Sequence, residues 1–457
     1  MNKKRSAFSG KIGYVLSAAG ASVGLGNIWR FPYLAAKYGG GIFLLVYIIL
    51  ALTFGYTMIV AESALGRMTR KSPVGAFRSF AKGKKVGWLS FGGWINAIIP
   101  VLIVPYYSVI GGWVVKYLFE YIRGNGSKLA EDGYFSGFIS NGGATEICFV
   151  IFCMFTLVII YAGVQNGIER VSKIMMPILI VLSVIIAIYS VTRPGAIEGV
   201  KYFLVPNVKN FSWMTVVAAM GQMFYSLSIA MGILVTFGSY MRKDTSIEDS
   251  TRNVEIFDTA IAMMAGLLII PAVFAFSGGD PDTLQAGPSL MFITIPKVFA
   301  NMGFGTAVGI LFFVLVLFAA VTSSIALTES AVSTFEDEFG WGRKKATVLT
   351  GVIMIALGTL SCLGYGPLDF VKIIGMQFLD FFDFLTNSVM MPIAALMTSL
   401  LVSRVIGVDK IEEEIRHGES AFRRKKIFVV MIKYLCPIFA LIILASSVAN
   451  AFGWIAM

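Results

Sequence analysis

Apolar residues run down this chain in long uninterrupted stretches, separated by short charged segments. Each stretch is near the roughly 20 residues that a helix needs to cross a bilayer core. Eleven are read, at 12–38, 41–66, 87–119, 146–163, 167–191, 213–240, 252–278, 304–335, 344–363, 368–401 and 427–454. They are continuous and lack the ten-residue alternation of a membrane barrel, so the pattern predicts an all-α membrane protein. Two stretches interrupt themselves. The first carries Gly20, Gly24 and Gly26 followed by Asn27 and Arg30, although glycine costs about 1 kcal/mol against alanine in a helix and a buried arginine demands a partner. The sixth repeats the anomaly in Ser226-Leu227-Ser228-Ile229-Ala230-Met231-Gly232. Matching interruptions in two halves point to a transporter site between inverted repeats. Unwound carbonyls there coordinate a cation, and a half-helix N-terminus faces an anionic group. For the first stretch alone, close packing through small residues is the competing reading. The expected organisation is a five-helix repeat with its N-terminal tail (1–191), a second, inverted five-helix repeat (192–401), and a loop with an appended eleventh helix (402–457).

Composition agrees. Of 457 residues 57% are hydrophobic and 14% charged, against about 25% charged in soluble domains, and the mean hydropathy is +0.80. Too few polar side chains exist to cover a water-soluble fold of this size. The basic tail followed by a glycine-rich run with Asn27 and Arg30 does not read as a cleavable signal. Lys and Arg collect in alternate connections, from Lys3, Lys4, Arg5 and Lys11 through Arg67–Lys85 and Arg343–Lys345 to Arg423–Lys426. That places about 26 basic residues on one face, read as cytoplasmic, with the C-terminus outside. The net charge of +11 is therefore membrane topology and not a nucleic-acid footprint. Cys148, Cys153, Cys362 and Cys436 form no zinc or redox spacing, and the lone His417 sits in a charged loop, so neither metal hydrolysis nor histidine catalysis is expected. The connection 279–303, with turn residues at 278–281 and 286–288, is expected to fold back toward the pore mouth.

The run Gly24-Leu25-Gly26-Asn27-Ile28-Trp29-Arg30-Phe31-Pro32-Tyr33 is similar, almost letter for letter, to the first-span signature of the neurotransmitter:sodium symporter family, whose bacterial leucine transporter names the fold. The resemblance continues in 221–228, 239–244, 287–294 and 322–324 and covers spans one to ten. It implies one Na⁺ held by Ser22, Asn27, Ser226, Asp258 and the substrate carboxylate, and a second between Gly20, Val23, Ala319, Thr322 and Ser323. Hard oxygen ligands suit that ion, though by chemistry alone Thr322 and Ser323 fit an interhelical hydrogen bond as well. Asp258 stands where the best-known bacterial member has asparagine, and its fixed charge implies independence from chloride. Gly24, where monoamine carriers have aspartate, implies an amino-acid substrate whose carboxylate meets the Leu25 and Gly26 amides and Tyr107. The amino group would meet Ser22, Tyr225, Ser226 and Ser228. The side chain would lie among Ala21, Ile103, Tyr225, Met231, Ser323 and Leu327, a list without charge, so the substrate is expected to be neutral and mainly hydrophobic. Met231, flexible where some members have phenylalanine, implies that aromatic side chains enter.

The resemblance also supplies gates. Arg30 and Asp383 would close the outside, bridged by Gln222 and roofed by Tyr107 and Tyr225. Arg5 and Asp337 would close the inside with Phe8, Ser239 and Tyr240, with Phe8 weakening that closure by replacing a tryptophan. Glu62, an intramembrane carboxylate, is expected to pair with unwound amides ahead of carrying protons. Gly167 and Pro177 form the spacing that lets span five unwind. The expected activity is Na⁺-coupled import, with two Na⁺ and no enzyme chemistry, by a multi-pass plasma-membrane protein in contact with lipid. The rivals are a channel, a transport-inactive sensor, and a carrier of a small amine or osmolyte.

Overall fold

The computed structural model describes residues 5–81, 87–277 and 287–454. The turn residues 278–286 and Lys3, Lys4, Lys82, Lys84 and Lys85 lie outside the described residues. Helices account for nearly everything else, with one isolated bridge between Ile373 and Met376. The first crossing is two pieces, α1 (Lys11–Ser22) and α2 (26–37), the latter opening in a π-helical turn over Gly26–Arg30. Then come α3 (Gly41–Thr69), a short α4 (Pro73–Ala81), α5 (Gly87–Ile122), α6 (Gly142–Tyr161), α7 (Val164–Val191) and the amphipathic α8 (Ala196–Leu204). The sixth crossing is again split, into α9 (Trp213–Ser226) and α10 (Ile233–Tyr240). There follow α11 (Ile247–Ser277), the short α12 (Leu290–Ala300), α13 (Gly305–Phe339), α14 (Arg343–Leu363), α15 (Phe378–Ile406), α16 (Val408–Arg416) and α17 (Lys425–Ala451). Among the described residues nine helices are long and apolar enough to cross a membrane. With the two split pairs they make the eleven crossings expected.

Burial sorts these helices. The most apolar windows of α5 and α13 are 78% and 72% buried, whereas those of α6 and α17 are 39% and 33% buried. Helices α5 and α13 pack against one another at the centre, and the outer helices turn apolar faces such as Ile147, Ile151, Phe155, Ile438 and Leu441 outward. In lipid such faces need no cover.

Both breaks have local causes. After Ser22, Val23 swings to ψ 89° and ends the α1 ladder. Between α9 and α10 the chain takes left-handed conformations at Ser228 (φ 54°), Ala230 (φ 60°) and Gly232 (φ 70°). For the two non-glycine residues this costs on the order of 1–3 kcal/mol each and requires outside support. Glu62 of α3 accepts the Ala230 N–H at 2.8 Å, and the Ser228 hydroxyl donates to the Ala21 carbonyl at 3.0 Å. One break thereby holds the other.

Span ten needs a correction: expected from 368, its helix begins at Phe378. Residues before it turn through Ile374 (φ 52°) and Gly375 (φ 78°), left-handed conformations that a right-handed helix cannot run through. The described part of the connection 279–303 does turn toward the outer opening, since Gly287 and Pro288 line the same vestibule as Arg30.

Candidate functional site

Where the two breaks meet they surround a narrow pocket. Every residue expected around a substrate lines it. The polar lining is Ser22, Gly24, Leu25, Gly26, Tyr107, Tyr225, Ser226, Ser228 and Ser323, and the apolar lining is Ala21, Ile103, Met231 and Leu327. Asn27 and Ile233 join them, and no Asp, Glu, Lys, Arg or His does. Tyr107 Oη accepts the Leu25 N–H at 3.3 Å. A Cβ at Gly24 would stand 2.7 Å from Ser323 Oγ and 3.2 Å from Tyr107 Oη, and one at Gly26 would lie 2.6 Å from the Tyr225 ring. Nothing larger than glycine fits at either position without displacing these side chains.

Two oxygen clusters flank the pocket. In the first, Asp258 is wholly buried and gathers three donors: Asn27 Nδ2 at 2.8 Å and Ser226 Oγ at 2.7 Å to Oδ1, and Tyr47 Oη at 2.7 Å to Oδ2. Asn27 Oδ1 in turn accepts the Gly24 N–H at 3.2 Å. The donor set of carboxylate, amide and hydroxyl oxygen fits a hard monovalent cation. Ser22 departs from expectation here. Its hydroxyl turns back to the Ala18 carbonyl at 3.2 Å, the i−4 bond that serine favours inside a helix. In the second cluster Ser323 Oγ lies 3.3 Å from the Gly20 carbonyl and 3.4 Å from that of Val23, and Thr322 Oγ1 lies 3.2 Å from the Ala319 carbonyl. A Cβ at Gly20 would stand 3.1 Å from Thr322, so α1 and α13 approach closely here.

The two faces of the protein differ. On the face bearing the basic loops, Arg5 bonds Asp337 at 2.5 Å, Ser333 at 2.8 Å and Ser239 at 2.9 Å, and stacks over Tyr240 at 5.0 Å. Asp337 also takes the Ser72 N–H at 2.6 Å. Phe8 is buried edge-on against Tyr14, Phe237 and Tyr240. On the opposite face a vestibule with an empty volume of about 1,390 Å³ reaches down to Tyr225, which lines both spaces. Here the expected closure is absent. Arg30 and Asp383 both line the vestibule without an ion pair; Arg30 rests over the Tyr225 ring at 5.5 Å, and Asp383 accepts from Asn387 at 2.6 Å and Tyr106 at 3.2 Å. Gln222 does not bridge them either, because it donates to the Gly26 carbonyl at 3.1 Å. Tyr106, not Tyr107, faces the vestibule. An ion pair facing an open vestibule gains little from closing, about 0–1 kcal/mol for exposed pairs.

Sequence reading passed over Tyr47, Ile233 and an ion pair, Arg343 with Glu329, beneath the Arg5 closure. Glu329 is fully buried, bonded by Arg343 Nη1 at 3.1 Å and by Tyr240 Oη at 2.7 Å. An ionisable residue inside an apolar stretch was the available signal. Glu62 sits fully buried beside the second break. Gly167 lies within the π-helical Val164–Glu169 start of α7, and Pro177 lies inside its regular part, so span five is wound here.

The chain matches the Sodium:neurotransmitter symporter family over residues 5–127 and 134–453. It is 36% identical over 417 residues to the uncharacterized sodium-dependent transporter YhdH of Bacillus subtilis, covering 91% of each chain. It is 32% identical over 458 residues to an uncharacterized sodium-dependent transporter of Haemophilus influenzae, covering 98% of this chain and 99% of that one. The crystal structure of MhsT in complex with L-phenylalanine superposes with a TM-score of 0.86 at 36% identity, covering 97% of this chain and all of the other.

Proposed function

Because this chain belongs to the sodium:neurotransmitter symporter family, and is a multi-pass, sodium-dependent membrane transporter of the leucine-transporter fold and not an enzyme, we propose that it imports neutral, mainly hydrophobic L-amino acids, aliphatic and aromatic. It does so across the plasma membrane, with two Na⁺ per cycle and without chloride, by alternating access. The N-terminus is cytoplasmic and the C-terminus extracellular. The observation that carries the reading is the pocket between the breaks. It is small and uncharged, and the missing side chains of Gly24 and Gly26 leave space beside Tyr107 and Tyr225 that any Cβ would fill. A substrate carboxylate entering that space would take the Leu25 N–H from Tyr107 and accept the Tyr107 hydroxyl in turn, whereas a charged side chain among the apolar lining would be left unpaired. MhsT, 36% identical, is seen with L-phenylalanine, which supports the amino-acid class.

In this reading the substrate carboxylate completes a cation site with Asn27, Ser226 and Asp258, so solute and ion bind each other as well as the protein. Asp258 supplies the fixed negative charge that an anion would otherwise bring. Gly20, Val23, Ala319, Thr322 and Ser323 hold the second ion between α1 and α13. Arg5 and Asp337 close the inside, and Arg30 and Asp383 draw together over Tyr225 when the outside closes. Glu62 steadies the α9–α10 break, and Gly167 with Pro177 lets α7 open to release the second ion.

The test is a competition panel of the twenty amino acids against labelled L-phenylalanine, with Na⁺ and without chloride. Neutral hydrophobic residues should displace the label while Asp, Glu, Lys and Arg should not. Equal displacement by charged amino acids or by a monoamine would refute the assignment.

A further inference from the structure

The N-terminal tail is fastened on two sides, and Arg5 accounts for only one. On the other side stands Glu169, which closes the π-helical start of α7 and is 2% exposed. Its Oε2 accepts the Ser9 N–H at 2.8 Å, its Oε1 takes the Ser9 hydroxyl, and Lys173 pairs with it at 2.6 Å. Gln165 of the same segment donates to the Ala7 carbonyl at 2.7 Å. From α1, Gly13 comes so near that any Cβ there would overlap the Glu169 carboxylate. One carboxylate therefore joins the tail, α1 and α7.

The segment it closes is the least regular part of α7. Gly163 precedes it at φ 96°, and Gly167 presses on the Ile159 carbonyl. We propose that Glu169 is a positioning residue of the transport cycle, tying the tail to the inner start of α7 so that the tail lifts and residues 164–169 unwind as one event. If the tail leaves alone, a buried carboxylate loses two of its donors. If the helix start unwinds alone, Ser9 and Ala7 lose theirs. The first loss is the expensive one, because the buried carboxylate keeps Lys173 alone, and the second frees the tail from its anchor on α7. The inference rests on alternating access in this family and not on which solute is carried.

Hydrogen exchange of the full-length protein in Na⁺-containing nanodiscs reads the coupling without any transport assay. Glu169→Ala should speed exchange about tenfold or more at both 7–14 and 163–169 while leaving α12 unchanged. Glu169→Gln, which keeps an acceptor for the Ser9 N–H, should fall between. Ser9 is exposed, so Ser9→Ala leaves folding intact, yet it should loosen 163–169 as well, because coupling is reciprocal. A Ser9→Ala protein with wild-type exchange at 163–169, or a Glu169→Ala protein loosened in only one of the two segments, would overturn the proposal.

Discussion

Gly24→Ala adds a single methyl where the structure has least room. Its carbon would stand 2.7 Å from Ser323 Oγ and 3.2 Å from Tyr107 Oη, both below ordinary contact. Neither neighbour yields freely, since Ser323 also bonds the Ala21 carbonyl at 3.1 Å and Tyr107 takes the Leu25 amide. Overpacking of this kind costs about 1–3 kcal/mol. If that cost falls on the bound state, apparent affinity drops about 5- to 150-fold. Equilibrium binding of labelled L-phenylalanine at saturating Na⁺ measures it directly, and Gly137→Ala, whose Cβ would meet nothing within 4 Å, is the matched control. A Gly24→Ala protein that binds as tightly as wild type would show that the carboxylate does not sit there and would refute the reasoning.

Asp258→Asn removes the fixed charge and turns a donor toward Tyr47; hydrogen bonds to charge contribute about 1.5–3 kcal/mol, so chloride-free uptake should fall at least about tenfold, and full retention in a flux assay would count against the role. Ile233→Ala widens the apolar wall of the pocket and should weaken leucine binding about tenfold while tryptophan loses less, read from paired competition curves. Arg67→Ala strands Glu414, whose carboxylate it meets at 2.6 Å with both residues buried; breaking such a pair costs about 3–5 kcal/mol, so the melting temperature in detergent should fall by several degrees.

The breaks were legible because each violates the apolar periodicity around it: Gly24 and Gly26 in the first crossing, and Ser226 to Gly232 in the sixth. What could not be read was pairing across distance. Arg67 and Arg343 look like topology charges in short loops, yet they are bonded to Glu414 and Glu329, partners that only the packed helices bring near. Arg30 and Asp383 are the converse case, a plausible pair that the open vestibule keeps apart. Tyr47 was hidden because a tyrosine in an apolar stretch reads as packing until Asp258 is found against its hydroxyl. Ser22 was placed correctly on the pocket wall, but its hydroxyl direction is a local rotamer choice that no spacing reveals.

Uptake of labelled L-phenylalanine into chloride-free proteoliposomes, driven by an inward Na⁺ gradient and compared with choline replacement, tests the central claim most directly. Accumulation above equilibrium with Na⁺, collapsing when the gradient is dissipated and absent with choline, is the result this account requires. Equal entry in the two salts, or entry that never exceeds the outside concentration, would contradict it.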